Sequence, residues 1–233
     1  MIQIRKNSFE TNSSSQHSII ITKENGEFTP QEMLDGIYLK KIGTKKGVWS
    51  LYCHNLDFGR SPFRILHTFQ DKVCYLIASM CQTSYWTETA QKEFEEICEV
   101  VKKLCKDISA IVPDTVGERV FKDIDGNMYQ QSQVSYLPSS KDEADYNYVV
   151  KSGDKKGTKV RSAGFEDKPY FGSVDHQSDT LLSRFLKEEG ITYEQFLLDK
   201  KYKIVIDGDE YNELENTMNS GLINKDIIER IYE

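Results

Sequence analysis

No C-x-x-C pair occurs in this chain, and its five cysteines, Cys53, Cys74, Cys81, Cys98 and Cys105, are odd in number. That argues against a disulfide framework and against a structural zinc site. Cys74 and Cys81, like Cys98 and Cys105, stand seven apart, a spacing that puts each pair on one helix face as small apolar core residues. Of the four histidines only His54 adjoins a thiol, Cys53, and neighbouring strand residues face opposite ways, so no shared metal is expected there. No apolar run approaches the roughly 20 residues that cross a bilayer, and the start lacks a basic-then-apolar leader. A cytoplasmic protein with no membrane partner is therefore expected. There is no internal repeat of fixed period, and no diagnostic catalytic signature.

What is present is an ordinary balance of 38% hydrophobic and 29% charged residues over 233 positions, with 13 Tyr and 11 Phe to anchor a core or an interface. The length suits one α+β domain spanning 1–233, with a mixed or antiparallel sheet, a central helical hairpin and a helical C-terminal part. The net charge of -7 is uneven: Met1 to Tyr170 is neutral, and Phe171 to Glu233 carries all of it. An acidic surface repels phosphates, which disfavours direct nucleic-acid binding and suits a basic partner.

Strand and helix signals are spread along the chain. Met1 to Arg5 and Ser18 to Thr22 read as strands, as do Ile37 to Ile42 and Val48 to Cys53 around a lysine-bearing turn. Thr29-Pro30-Gln31-Glu32 is a capping box. Gly59 to Pro62 reads as a break and helix start, with Phe63, Leu66, Phe69, Val73, Leu76 and Ile77 at helical spacing to Met80. A second helix spans Thr89 to Lys106. Asp125-Gly126-Asn127 is a hairpin turn. The stretch 138–175, rich in Ser, Gly, Lys and Asp, reads as a long, mobile loop with one strand at Tyr146 to Val150. Its Lys151, Lys155, Lys156, Lys159 and Arg161 make the most basic run in the chain. From 176 the pattern is helix, strand, helix: Gly190 ends one helix, Thr192 to Gln195 caps another, Tyr202 to Ile206 is a strand, and an amphipathic helical pair closes the chain.

The first polar cluster, Arg5 to Ser18, packs hydroxyls, amides, one acid and one imidazole between two strands. Its N–H and O–H groups suit an anion or nucleotide, with Arg5, Glu10, Asn12, Ser13, Ser14, Ser15 and His17 as ligand-binding candidates. His17 has the pKa range of a general base, and Glu10 is the group that would orient it. Arg60 and Arg64 are further ligand contacts; the alternative for them is a partly buried ion pair. At the other end, the strand from Tyr202 delivers Asp207, Asp209 and Glu210, hard oxygen ligands suited to Mg²⁺. This acidic turn resembles the first motif of haloacid-dehalogenase-type phosphatases. The alternative is a helix cap at Asp209 after a bend at Gly208.

Three blocks together resemble a protein family of phages and prophages of low-GC Gram-positive bacteria: Arg5 to Ser18, Phe58 to Leu66, and Lys201 to Tyr211 with Gly221 to Asn224. The resemblance implies a phage setting and brings no activity, cofactor or active site with it. In that setting the first expectation is a phage accessory protein that binds, and inhibits, a host or bacterial-defence protein, for example of CRISPR type, through its acidic part. The second is a nucleotide- or phosphate-handling enzyme or sequestrant of a small anionic ligand at the N-terminal Ser/His turn. The third is a Mg²⁺-dependent phosphoryl-transfer enzyme centred on Asp207 and Asp209.

Overall fold

The computed structural model describes residues 16–36, 39–41, 49–53, 56–58, 64–81, 87–136, 148–174, 180–207 and 228–232. In chain order the elements begin with β1 (Gln16–Thr22), α1 (Pro30–Met33), β2 (Leu39–Lys41), β3 (Trp49–Tyr52), β4 (Asp57–Phe58), β5 (Arg64–Leu66), α2 (Phe69–Cys81), α3 (Glu88–Leu104) and β6 (Ile108–Val112). Then come β7 (Asp114–Lys122), β8 (Met128–Gln130), β9 (Val134–Tyr136), β10 (Tyr148–Val150) and β11 (Lys159–Tyr170). The last are β12 (Ser173–Val174), α4 (Leu181–Glu189), α5 (Tyr193–Leu198), β13 (Tyr202–Asp207) and β14 (Ile228–Tyr232). The fold is α+β, and it divides into two compact units, Met1–Asp114 with Phe171–Glu233, and Thr115–Tyr170.

In the larger unit a four-stranded antiparallel sheet runs in the order β14-β1-β13-β5, so early and late parts of the chain share one sheet. Cross-strand partners point to the same face. His17, Ile206 and Arg64 therefore form one row, and Ile19, Ile204 and Leu66 the next. Ile19, Ile204 and Ile206 are wholly buried, each stabilising the fold by about 1.5–3 kcal/mol. α2 is buried nearly all round, from Phe69 to Cys81, and takes the polar Gln70, Lys72 and Ser79 into the interior with it. It packs on α3, α4 and α5. β2, β3 and β6 make a separate mixed sheet, and β4 pairs in parallel with β12. That last pairing needs Gly172, at φ +93°, where a side chain would run into Leu56.

Local signals account for several ends. Thr29 and Thr192 form the expected capping boxes with Glu32 and Gln195, and Gly190 ends α4 in the left-handed region. All five cysteines are buried and free; burial pushes Cys98 up to about 11 and Cys81 up to about 12.

Three expectations need correction. Arg64 to Leu66 is a strand, not the first turn of a helix: the apolar positions fit either period, and the free edge of β13 takes them. The helix starts only at Phe69, where Thr68 and Asp71 cap reciprocally, the Thr68 hydroxyl donating over 2.7 Å and accepting from the Asp71 amide over 3.1 Å. The end of the chain is likewise not helical over Ile228–Tyr232, which pairs with β1. The stretch 138–175 holds β10 and the 12-residue β11 as well as β12, where a loop with one strand was expected.

The smaller unit is a five-stranded sheet in the order β8-β7-β11-β10-β9. Phe121, Tyr129, Val134, Val150 and Val160 form its core, with Tyr148 packed against them. The β7–β8 turn is held by the Asp123 carboxylate, which accepts from the amides of Asp125 (2.9 Å) and Asn127 (2.8 Å), the Asn127 side chain (2.8 Å) and the Tyr129 hydroxyl (2.8 Å). These donors lower its pKa to about 2, the Asn127 side chain most of all.

Candidate functional site

The antiparallel registers bring the described ends of the chain's three polar blocks, Gln16–Ser18, Arg64–Leu66 and Val205–Asp207, onto neighbouring strands of the four-stranded sheet. Gln16, which continues the Ser-rich run, pairs with Asp207, which opens the acidic turn. One residue in, Ile206 lies between His17 and Arg64. Strand spacing puts His17 and Arg64 roughly 10 Å apart across β13.

The row is tied together from above by α2. His17 is 3% exposed, and its Nδ1 lies 2.9 Å from the hydroxyl of Tyr75, itself wholly buried. The Tyr75 ring meets Phe58 edge-on at 5.2 Å between centroids, and the Arg64 guanidinium lies 5.6 Å from the centre of Phe58. Burial pushes the Tyr75 phenol well above its ordinary value, so it stays a neutral partner for the imidazole throughout the working range. His17 thus has the setting of an orienting group inside the sheet. A general base must reach the proton it takes, and this ring is enclosed. Arg64, half-buried over Phe58, is the cationic member at the sheet end.

Of the other expected site residues, Arg5, Glu10, Asn12, Ser13, Ser14, Ser15, Arg60, Asp209 and Glu210 lie outside the described residues, as does the side chain of Asp207. Among the described residues no three His, Cys, Asp or Glu side chains gather as a metal site. Nor is any described helix long and apolar enough to cross a membrane.

Tyr75, Phe58 and Lys72 were not singled out by sequence. For Tyr75 and Phe58 no local signal existed, because aromatic residues at apolar positions read as core. For Lys72 there was one: it is the only basic residue in α2. Lys72 is wholly buried, and its ammonium donates to the carbonyls of Phe196 (3.0 Å) and Asp199 (2.6 Å) at the end of α5. The rings of Phe28, Phe196 and Tyr202 stand 5.2, 5.3 and 5.9 Å from it. Burial lowers its pKa to about 7.

The acidity of the last third is largely engaged where it is described. Glu189 pairs with Arg230 at 2.7 Å, Glu194 with Lys103 at 2.8 Å and Asp199 with Lys201 at 2.9 Å. Comparison with known protein families, with curated proteins and with solved structures finds no match.

Proposed function

We propose that the protein works by binding, and that it takes an anionic, phosphate-bearing ligand such as a nucleotide at the end of the four-stranded sheet. The observation that carries this is the register: Gln16 opposite Asp207, and Ile206 between His17 and Arg64. It sets His17 and Arg64 on the two strands that flank Ile206, although the three are far apart in sequence, and the Ser-rich run, Arg60 and the acidic turn adjoin these residues along the chain. Arg64 supplies charge to a phosphate, the hydroxyls and amides of the Ser-rich run supply donors, and the acidic turn suits a bridging Mg²⁺. Enclosure of His17 favours a sequestrant over an enzyme that uses this imidazole. In the phage setting that the three blocks imply, such a protein would withdraw a nucleotide-like ligand from a host or defence system. Charge imitation by an acidic surface, directed at a host or defence protein, is the second reading; of the fourteen acidic residues after Phe171, Glu189, Glu194 and Asp199 are paired with basic residues.

Thermal melting with nucleotides and with inorganic phosphate, with and without Mg²⁺, tests the reading. A ligand at about 100 times its Kd stabilises the native state by about 2.7 kcal/mol, which for a chain of this size raises Tm by roughly 5–10 °C. Arg64→Ala should remove most of that rise. No shift with any nucleotide or with phosphate would overturn the proposal.

A further inference from the structure

The smaller unit carries a second surface, independent of the sheet end just described. All four large hydrophobic residues exposed among the described residues, Ile124, Met128, Tyr136 and Phe165, belong to it. Two of them end a continuous row. The Tyr136 ring meets Tyr148 at 5.6 Å between centroids, Arg119 donates to the Tyr148 hydroxyl over 3.3 Å, and the same guanidinium lies 5.6 Å from the centre of Phe165. Tyr136 is 65% exposed and Phe165 68%. Gly117 leaves ordinary van der Waals room beside Phe165, 3.6 Å from where a Cβ would stand. Aromatic rings largely exposed at both ends of a row, with an arginine between them, are groups that stack flat, π-faced partners.

Beside the row stands the basic run. β10 continues from Tyr148 through Val150 into the turn that leads to β11, and Lys151, Lys155 and Lys156 are exposed on that turn. At strand rise the turn begins about 10 Å from Tyr148. Lys159 pairs with Val149 and so faces away from Tyr148, and Lys151, Lys155 and Lys156 are the exposed basic residues of the turn that follows β10, with Asp154 among them. Nine basic and nine acidic residues balance between Thr115 and Tyr170, and the excess acid lies in Phe171 to Glu233.

We propose that this sheet binds single-stranded nucleic acid, its bases stacking on Tyr136 and Phe165 and its phosphates meeting Lys151, Lys155 and Lys156. The pairing of ring faces with a flanking cationic turn is what sequence-tolerant single-strand binding requires. An acidic protein segment would use the lysines but would have less use for open ring faces fixed by an arginine.

The test is fluorescence anisotropy of the full chain with a labelled oligothymidine and a labelled oligouridine over a salt series. Affinity should fall with salt with a log–log slope near -2, about -0.7 for each of three phosphates neutralised. Lys155→Glu with Lys156→Glu should weaken binding by tenfold or more, and Tyr136→Ala and Phe165→Ala by about tenfold each. These positions are exposed, so the variants should keep the fold, which circular dichroism would check. Arg64→Ala, at the other site, should leave oligonucleotide binding unchanged, which separates this proposal from the preceding one. Absence of binding at low salt would overturn it. So would loss on lysine reversal with no effect of either aromatic substitution, or competition by polyglutamate as strong as by oligonucleotide; both results would assign the surface to an acidic protein.

Discussion

The ammonium of Lys72, in the first turn of a helix buried almost all round, donates over 2.6 Å to the main-chain carbonyl of Asp199, the residue that ends α5. Carbonyls at a helix C-terminus lack intrahelical donors and carry partial negative charge. Lys72 supplies both the donor and the charge, and so joins α2 to α5 across 127 positions of chain.

Lys72 should make stability rise with pH. Its pKa is about 7 in the folded state, against roughly 10.4 in an unfolded chain. Below about 7 both states hold the proton, and the cost of burying charge is fully present. Between about 7 and 10 the unfolded state binds more protons than the native state, so stability increases, at most by roughly 1.4 kcal/mol per pH unit. Because the buried thiols, held protonated, lower stability above about pH 8, the measure is a difference: the urea midpoint of the wild-type chain should gain on that of Lys72→Met from about pH 7 to 9. Identical pH dependence in both would refute this role.

Tyr75→Phe should destabilise by about 1–3 kcal/mol, because it strips the 2.9 Å partner from a buried imidazole nitrogen. In the double variant with His17→Phe, both polar groups are gone, and the loss should be clearly smaller than the sum of the single losses. Denaturant unfolding of the four proteins measures it. Additivity to within 0.5 kcal/mol would show that the two residues do not act as a pair.

Asp123 links the smaller unit to acid. Its folded pKa of about 2 lies below the usual carboxylate range, so its contribution is whole above about 4 and disappears as pH falls through about 2. Protection of the Asp125 and Asn127 amides, whose N–H groups it accepts, should fall over that window once exchange is referred to the intrinsic rate at each pH. Asp123→Ala should show the fast exchange already at neutral pH. Slow exchange in that variant would mean the turn is held by something else.

Much of the local structure could be read directly. Thr29, Thr192 and Gly190 mark helix ends because the backbone groups they satisfy lie within three or four residues. The hairpin at Asp125-Gly126-Asn127 is legible for the same reason. Arg64 to Leu66 was not, since three residues satisfy a helical and a strand period equally, and the unpaired edge of β13 decided between them. β11 escaped because 12 mostly exposed residues, with only Val160 wholly buried, show no alternation of apolar and polar positions. His17 and Arg64 were found as polar residues in suggestive runs, but nothing in either run shows that Ile206 separates them.

The amino-acid sequence by itself determined the α+β character, the caps and turns, the apolar strands Ile19–Ile21 and Ile204–Ile206, and the concentration of acid after Phe171, all of which follow from neighbours along the chain. Only the tertiary structure decided that Gln16 faces Asp207, that Tyr75 meets His17, that Lys72 closes α5 and that Arg119 joins Tyr148 to Phe165. Each of these contacts depends on strand register or helix docking, which burial of whole faces selects and no short stretch of sequence contains.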